Sequence, residues 1–231
     1  KYLIMRRWIR ALSGIVMIVC AVIVIRYYLD YSEVNEQLEQ AQQIVQQSEL
    51  KELQRQNKNI IGWLTLENTR LNNPVLQTDN NEFYLKHNYL DEKSRGGSIF
   101  ADFRNDVMED RHTIFYGHVL RNGTMFGDLS KFNEQAYAEE HPVFYYETDA
   151  KRYALHVFAA YETTTDFYYI ETQFTNDTFD QFLLDIQQKS AIKMPVEVAN
   201  SDKIATFSTC TTSPDDKERF VVHTKVVELE K

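Results

Sequence analysis

The chain has 231 residues and a formal charge of −9, from 25 Lys plus Arg against 34 Asp plus Glu. That length allows one sizeable domain with an appendage, and a content of 43% hydrophobic and 13% aromatic residues excludes global disorder. The acidic balance argues against nucleic acid as a partner, and two cysteines exclude a disulfide-rich scaffold.

The first ten residues carry Lys1, Arg6, Arg7 and Arg10, and residues 11–25 hold no charge. Counted on to Leu29, with Arg26 snorkelling, the run is long enough to cross a bilayer as a helix. Tyr27, Tyr28 and Tyr31 stand where an interfacial aromatic belt would be. The run ends in Arg26-Tyr27-Tyr28-Leu29, not in a small-x-small cleavage site, so it reads as a retained anchor and not as a signal peptide. The basic flank then places residues 1–10 in the cytoplasm, residues 11–29 in the membrane and everything after Asp30 outside the cell.

Residues 30–58 are polar and lack Gly and Pro; Val34, Leu38, Ala41 and Val45 recur at helical spacing, as expected for a stalk that packs on the following domain. From residue 59 to 231 the texture changes. Short apolar and aromatic runs at 60–66, 98–103, 113–116, 143–147, 152–161, 203–207 and 220–228 read as strands. Asn72-Asn73-Pro74, Gly96-Gly97, Asn122-Gly123 and Ser213-Pro214-Asp215 read as turns. Phe179, Phe182, Leu183 and Ile186 predict a helix over 178–190, capped by Thr178 with Asp180 in its first turn. The pattern is a mostly β domain with peripheral helices, and many short strands in this length suggest a closed barrel.

Cys20 falls inside the apolar run, as a small filler. Cys210 is therefore the one thiol of the outer domain, in a compartment that oxidises or pairs exposed thiols. It is either buried and inert or kept for its reactivity. Its position favours the second: Ile204-Ala205-Thr206-Phe207-Ser208-Thr209-Cys210 is a strand that stops in a loop, and an antiparallel return would bring Arg219 beside it. A thiol with an ordinary pKa of about 8.5 needs an imidazole or cation nearby to act as a nucleophile at neutral pH. Of six histidines, His118 sits at the end of a strand after Gly117, and His223 shares a strand face with Arg219 and Val221. Both qualify, and the strand-end position favours His118. No calcium-loop spacing, HExxH helix or phosphate-cradling glycine loop occurs, so no metal or cofactor is expected.

Thr206-Phe207-Ser208-Thr209-Cys210 resembles the sortase signature Thr-Leu-x-Thr-Cys, with Phe207 in place of Leu. Arg219 follows at the family's spacing, and Tyr116-Gly117-His118 is similar to its histidine segment. Ile61-Gly62-Trp63-Leu64, Asn81-Glu82-Phe83-Tyr84-Leu85 and the run from Gly97 to Asn105 resemble class B members, as do the late helix and the helical front. The resemblance covers residues 57–227. It implies an eight-stranded barrel on the outer face of a Gram-positive cell and a cysteine transpeptidase. Cys210 would attack the Thr carbonyl of a C-terminal sorting signal of Asn-Pro-x-Thr type on a surface protein. His118 would act as general acid and then base, and Arg219 would steady the oxyanion. A peptidoglycan amine would resolve the thioacyl-enzyme. Ser208, Thr209 and Tyr116 match groove-lining positions, and the stretch 164–170 would wall that groove, with Tyr168 as its most promising contact. One departure is Thr212, where some class B members carry an acidic residue; Asp215 or Asp216 could substitute. Two other readings are a hydrolytic cysteine peptidase on the same scaffold and a non-enzymatic, membrane-tethered binding domain.

Overall fold

A computed structural model describes residues 2–48, 50–210 and 217–230. The turn expected at Ser213-Pro214-Asp215, with Thr212 and Asp216, lies outside the described residues. A single helix, α1 (Tyr2–Ser48), joins the apolar run to the stalk, and a short α2 (Leu50–Gln56) follows. The apolar portion is unburied and has a mean hydropathy of 2.2, and it is long and apolar enough to cross a membrane. Further along the same helix Val34, Leu38 and Ala41 are buried against the domain, one helical turn apart as their spacing requires.

Eight strands close into a barrel: β1 (Ile60–Leu66), β2 (Asn72–Leu76), β3 (Ile99–Ala101), β4 (His112–Tyr116), β5 (Val143–Glu147), β6 (Arg152–Thr164), β7 (Ile204–Cys210) and β8 (Glu218–Leu229). Their order around the barrel is β1-β2-β3-β4-β7-β8-β6-β5. The β2/β3 and β4/β7 pairs are parallel and the others antiparallel. Residue patterning alone gives seven strands, because Asn72-Asn73-Pro74 reads as a turn. These residues instead open β2, with Pro74 paired to Trp63 and Trp63 Nε1 donating to Asn72 Oδ1 at 2.7 Å. The short α3 (Gln135–Glu140) carries no apolar stripe in the sequence and was not expected.

Phe115, Phe144 and Phe207 fill the barrel, the last two stacked at 4.3 Å. Residues 204–209 of β7 are buried on both faces, the hydroxyl residues Thr206, Ser208 and Thr209 as well as Ile204, Ala205 and Phe207. The inner face meets this aromatic core. The outer face lies under α4 (Asn176–Lys189), whose Phe179, Phe182, Leu183 and Ile186 pack on Phe158, Ile204 and Val221. The helix starts two residues before the expected point. Thr175 is its N-cap, Thr178 closes a reciprocal capping box from the third position, and Asp177 occupies the first turn.

Candidate active site

Strand register brings the three expected residues to one rim of the barrel. Cys210, the last residue of β7, is paired directly with Arg219 near the start of β8. On the other side β7 runs parallel to β4, with Tyr116 opposite Ser208, and the ladder extends by a bond from Gly117 N to Ser208 O at 3.4 Å. Two residues further on each chain, His118 comes level with Cys210. Cys210 and Arg219 thus lie on adjacent strands, with His118 two residues past the end of the strand on the other side of β7, at an end where both parallel strands finish.

His118 is half-buried, and its Nε2 bonds to the carbonyl oxygen of Leu85 at 2.7 Å. A carbonyl only accepts, so Nε2 carries a hydrogen and Nδ1 is left to exchange protons. Leu85 lies in a 3-10 turn, Phe83–Leu85, which accepts at Tyr84 O from Ser98 N at 2.9 Å and runs close beneath Gly97. Gly97 has φ +56°, and a Cβ there would lie 2.6 Å from Tyr84 O, 2.9 Å from Leu85 O and 3.1 Å from His118 Cδ2. The residue preceding Ser98 is therefore glycine both for its backbone and for the space it leaves under the histidine.

His223, the rival from sequence, is four residues along β8 from Arg219, roughly 13 Å at strand rise. It is fully buried under α4 and both its nitrogens are engaged. It belongs to a chain of buried hydrogen bonds whose directions are fixed from one end. His112 Nδ1 donates to Glu171 O at 2.6 Å, so its Nε2 accepts from Thr206 Oγ1 at 2.6 Å. Thr206 Oγ1 in turn accepts from His223 Nδ1 at 2.7 Å, and His223 Nε2 accepts from Tyr161 OH at 2.8 Å. Burial keeps both imidazoles neutral, pushing His112 down to about 4 and His223 well below its ordinary value.

Beside the rim lies a groove of about 290 Å³, lined by Asn81, Leu85, Tyr116, Tyr168, Ile170 and Arg219 among others. Arg219 Nη1 donates to Glu218 O at 2.7 Å. The groove floor rests on Asp102, which is completely buried. Its carboxylate accepts from Arg104 Nε and Nη2 at 2.8 Å each, from Asn81 Nδ2 at 3.0 Å and from Tyr116 OH at 2.9 Å. Burial alone would raise this carboxyl. The Arg104 guanidinium and backbone N–H and the Tyr116 hydroxyl outweigh burial and hold it below the usual carboxylate range. Burial, then the Asp102 charge, push the Tyr116 phenol up, so it remains a donor. Arg104 also donates to Tyr168 OH at 3.2 Å and to Ile170 O at 2.9 Å, which ties the segment between β6 and α4 to the floor.

Of the groove residues expected from sequence, Tyr116 and Tyr168 line the groove. Ser208 and Thr209 do not. Ser208 is buried with its hydroxyl 2.7 Å from Tyr169 OH, so it supports the groove wall through that ring. Thr209 is buried on the row of Phe207, the row that fills the barrel. Asp102 and Arg104 were missed as site residues. Their signal was present as an Asp-x-Arg pair beside an aromatic, where both ion-pair geometry and spacing fit one short turn.

The family model for the Sortase domain matches residues 64–227, and the chain belongs to this family of cysteine transpeptidases. The class is B. Sortase B of Listeria monocytogenes is 46% identical over 182 residues, covering 78% of this chain and 74% of that one. Sortase B of Staphylococcus aureus is 41% identical over 180 residues, covering 77% and 74%. The structure of a Staphylococcus aureus sortase B-substrate complex superposes with a TM-score of 0.82 at 34% identity, covering 87% of this chain and all of that one.

Proposed function

We propose that the chain cleaves a C-terminal sorting signal of Asn-Pro-x-Thr type after Thr and joins the freed carbonyl to a peptidoglycan amine. The observation that carries this reading is the register of β4, β7 and β8, which aligns His118, Cys210 and Arg219 at the rim beside an aromatic groove. The Cys210 thiolate attacks the Thr carbonyl carbon, and Arg219 offsets the charge that develops on its oxygen. The C–N bond breaks as His118 gives the departing amine, from Nδ1, the proton that Nδ1 took from the Cys210 thiol when the thiolate formed. The thioester then meets an incoming amine, His118 takes that amine's proton, and the C–S bond breaks to return the thiolate. The groove holds the signal peptide, with Tyr116, Tyr168 and Asn81 as its polar contacts and Ser208 acting through Tyr169.

Residues 11–29 serve as the membrane anchor, 30–58 as the stalk and 59–231 as the catalytic domain, with residues 1–10 in the cytoplasm and the barrel outside. The basic flank of the apolar run supports that orientation. The test is mass spectrometry of enzyme incubated with a library of signal peptides, followed by an amine. An acyl adduct on Cys210 and an amine-linked product are expected. A product that is only the free acid would make the enzyme a hydrolase, and an unmodified Cys210 would end the proposal. Cys210→Ala should abolish turnover, and His118→Ala and Arg219→Ala should each lose orders of magnitude.

A further inference from the structure

A second depression, about 650 Å³, opens on the other side of Leu85 and has His118 in its wall. Leu85 lines both hollows, and its carbonyl oxygen accepts from His118 Nε2, so the residue they share is the one that holds the imidazole. The new one is framed by the hairpin 86–94, closed by Ser94 N to Lys86 O at 2.9 Å and Asn88 N to Glu92 O at 2.8 Å, with His87 bridged to Lys93. Lys86, Lys93 and Arg95 line it with His87, and among the described residues no carboxylate does. Arg95 is paired with Asp30 at 2.8 Å, whereas Lys86 and Lys93 are exposed and make no ion pair among the described residues. The acidic residues of the same hairpin are turned to other work. Asp91 accepts from Asn57 and Tyr84, and Glu92 accepts from Gln37 and Asn88. In a chain of net charge −9 this hollow is a local reversal of sign.

An amine reaching a thioester from this side arrives mostly as an ammonium and is repelled by two lysines. An amine whose own molecule carries a carboxylate is attracted instead, and it reaches His118 already oriented. From this geometry we infer that the hollow is the acceptor subsite, and that it selects an amine borne by a peptide with a free carboxylate. The inference rests on the transpeptidase reading above and adds the chemistry of the second substrate.

The test uses the full chain and a donor peptide of Asn-Pro-x-Thr type, read in two stages. Thioacyl-enzyme is measured first, before any acceptor is added. Triglycine and triglycine amide are then compared as acceptors, since they differ only in the terminal carboxylate. The readout is the ratio of their kcat/KM values, in which any general effect of a substitution cancels. The wild type should prefer triglycine, and Lys86→Gln/Lys93→Gln should shrink that preference about two- to tenfold, as expected for two exposed charge contacts. The wild-type preference should also shrink between 50 and 500 mM salt, as screening shortens the reach of the lysines. Equal use of both acceptors by the wild type, or a preference that survives the double substitution, overturns the inference and leaves the donor half-reaction intact. Failure to form any thioacyl-enzyme overturns the transpeptidase reading, and this inference with it, before an acceptor is tried.

Discussion

Gly97→Ala tests how the imidazole proposed as the acid–base group, that of His118, is held. An alanine at φ +56° costs about 1–2 kcal/mol for its backbone alone. Its Cβ would also stand 2.6 Å from Tyr84 O and 2.9 Å from Leu85 O, both main-chain atoms that cannot swing away. Overlap at two fixed atoms raises the total to about 2–3 kcal/mol, in the range of strained-backbone substitutions. For a domain of this size that lowers Tm by roughly 4–12 °C. Relief of the overlap moves Leu85 O, the acceptor of the 2.7 Å bond from His118 Nε2. Losing one net hydrogen bond that orients the ring lowers kcat/KM about tenfold, measured well below the variant's Tm. Gly96→Ala is the control: its Cβ meets only the side chains of Val34 and Leu120, at 3.1–3.3 Å, so a loss under about 1 kcal/mol and near-normal turnover are expected. Calorimetry and peptide-cleavage kinetics on both variants decide the matter. A Gly97→Ala enzyme with unchanged Tm and unchanged kcat/KM would refute the idea that the carbonyl of Leu85 sets the histidine.

Arg104→Ala leaves Asp102 buried with three neutral donors (Asn81 Nδ2, Tyr116 OH and the backbone N–H of residue 104) and no cation, and frees the segment carrying Tyr168 and Ile170. Chemical denaturation should show a loss of about 3 kcal/mol, and KM for the donor peptide should rise more than kcat falls. The buried imidazoles impose a pH dependence. His112 titrates near 4 in the fold and near 6.5 when unfolded, so between these values the unfolded chain binds the extra proton. Its contribution is complete above 6.5 and is lost as pH falls towards 4, at up to about 1.4 kcal/mol per pH unit; His223 acts in the same direction. Urea midpoints from pH 7 to 4.5 should fall, and His112→Gln should flatten the slope. His223→Ala should lower stability while sparing the Cys210 acyl adduct, whereas His118→Ala should do the reverse; loss of acylation in His223→Ala at a temperature where it is folded would return the acid–base role to that ring. Thr175→Ala removes one arm of the α4 capping box, the bond from Thr178 N to Thr175 Oγ1, and keeps the arm from residue 175 N to Thr178 Oγ1; a thermal melt should record a cost of about 1 kcal/mol.

The strand-end placement of Cys210, the return of Arg219 and the covering helix could be read from local pattern. Each depends on alternation or helical spacing within a few residues. Strand β2 could not, because Asn72-Asn73-Pro74 has turn chemistry and is made a strand by its partner Trp63. Asp102 could be paired with Arg104 from local spacing but not placed under the groove. Its role arises from Asn81 and Tyr116, 21 and 14 residues away, which meet it only after β3 and β4 pair. Thr209 was placed in the groove by family likeness, yet period two along β7 sets it with Phe207, facing the core. The β4/β7 register, which brings His118 level with Cys210, joins segments some ninety residues apart and has no local signature.

Helix α1 runs without a break from its apolar stretch into residues that are part of the barrel's own core. Val34 comes five residues after Leu29, about 8 Å of helix, and the Arg95–Asp30 ion pair fastens the barrel one residue past the apolar run. If the apolar stretch lies in a bilayer as proposed, the unbroken helix would set the height of the proposed catalytic rim above it as a fixed number of helical turns. On that reading the enzyme would work at one altitude, and a client would be cut only if its scissile bond were held at that same level.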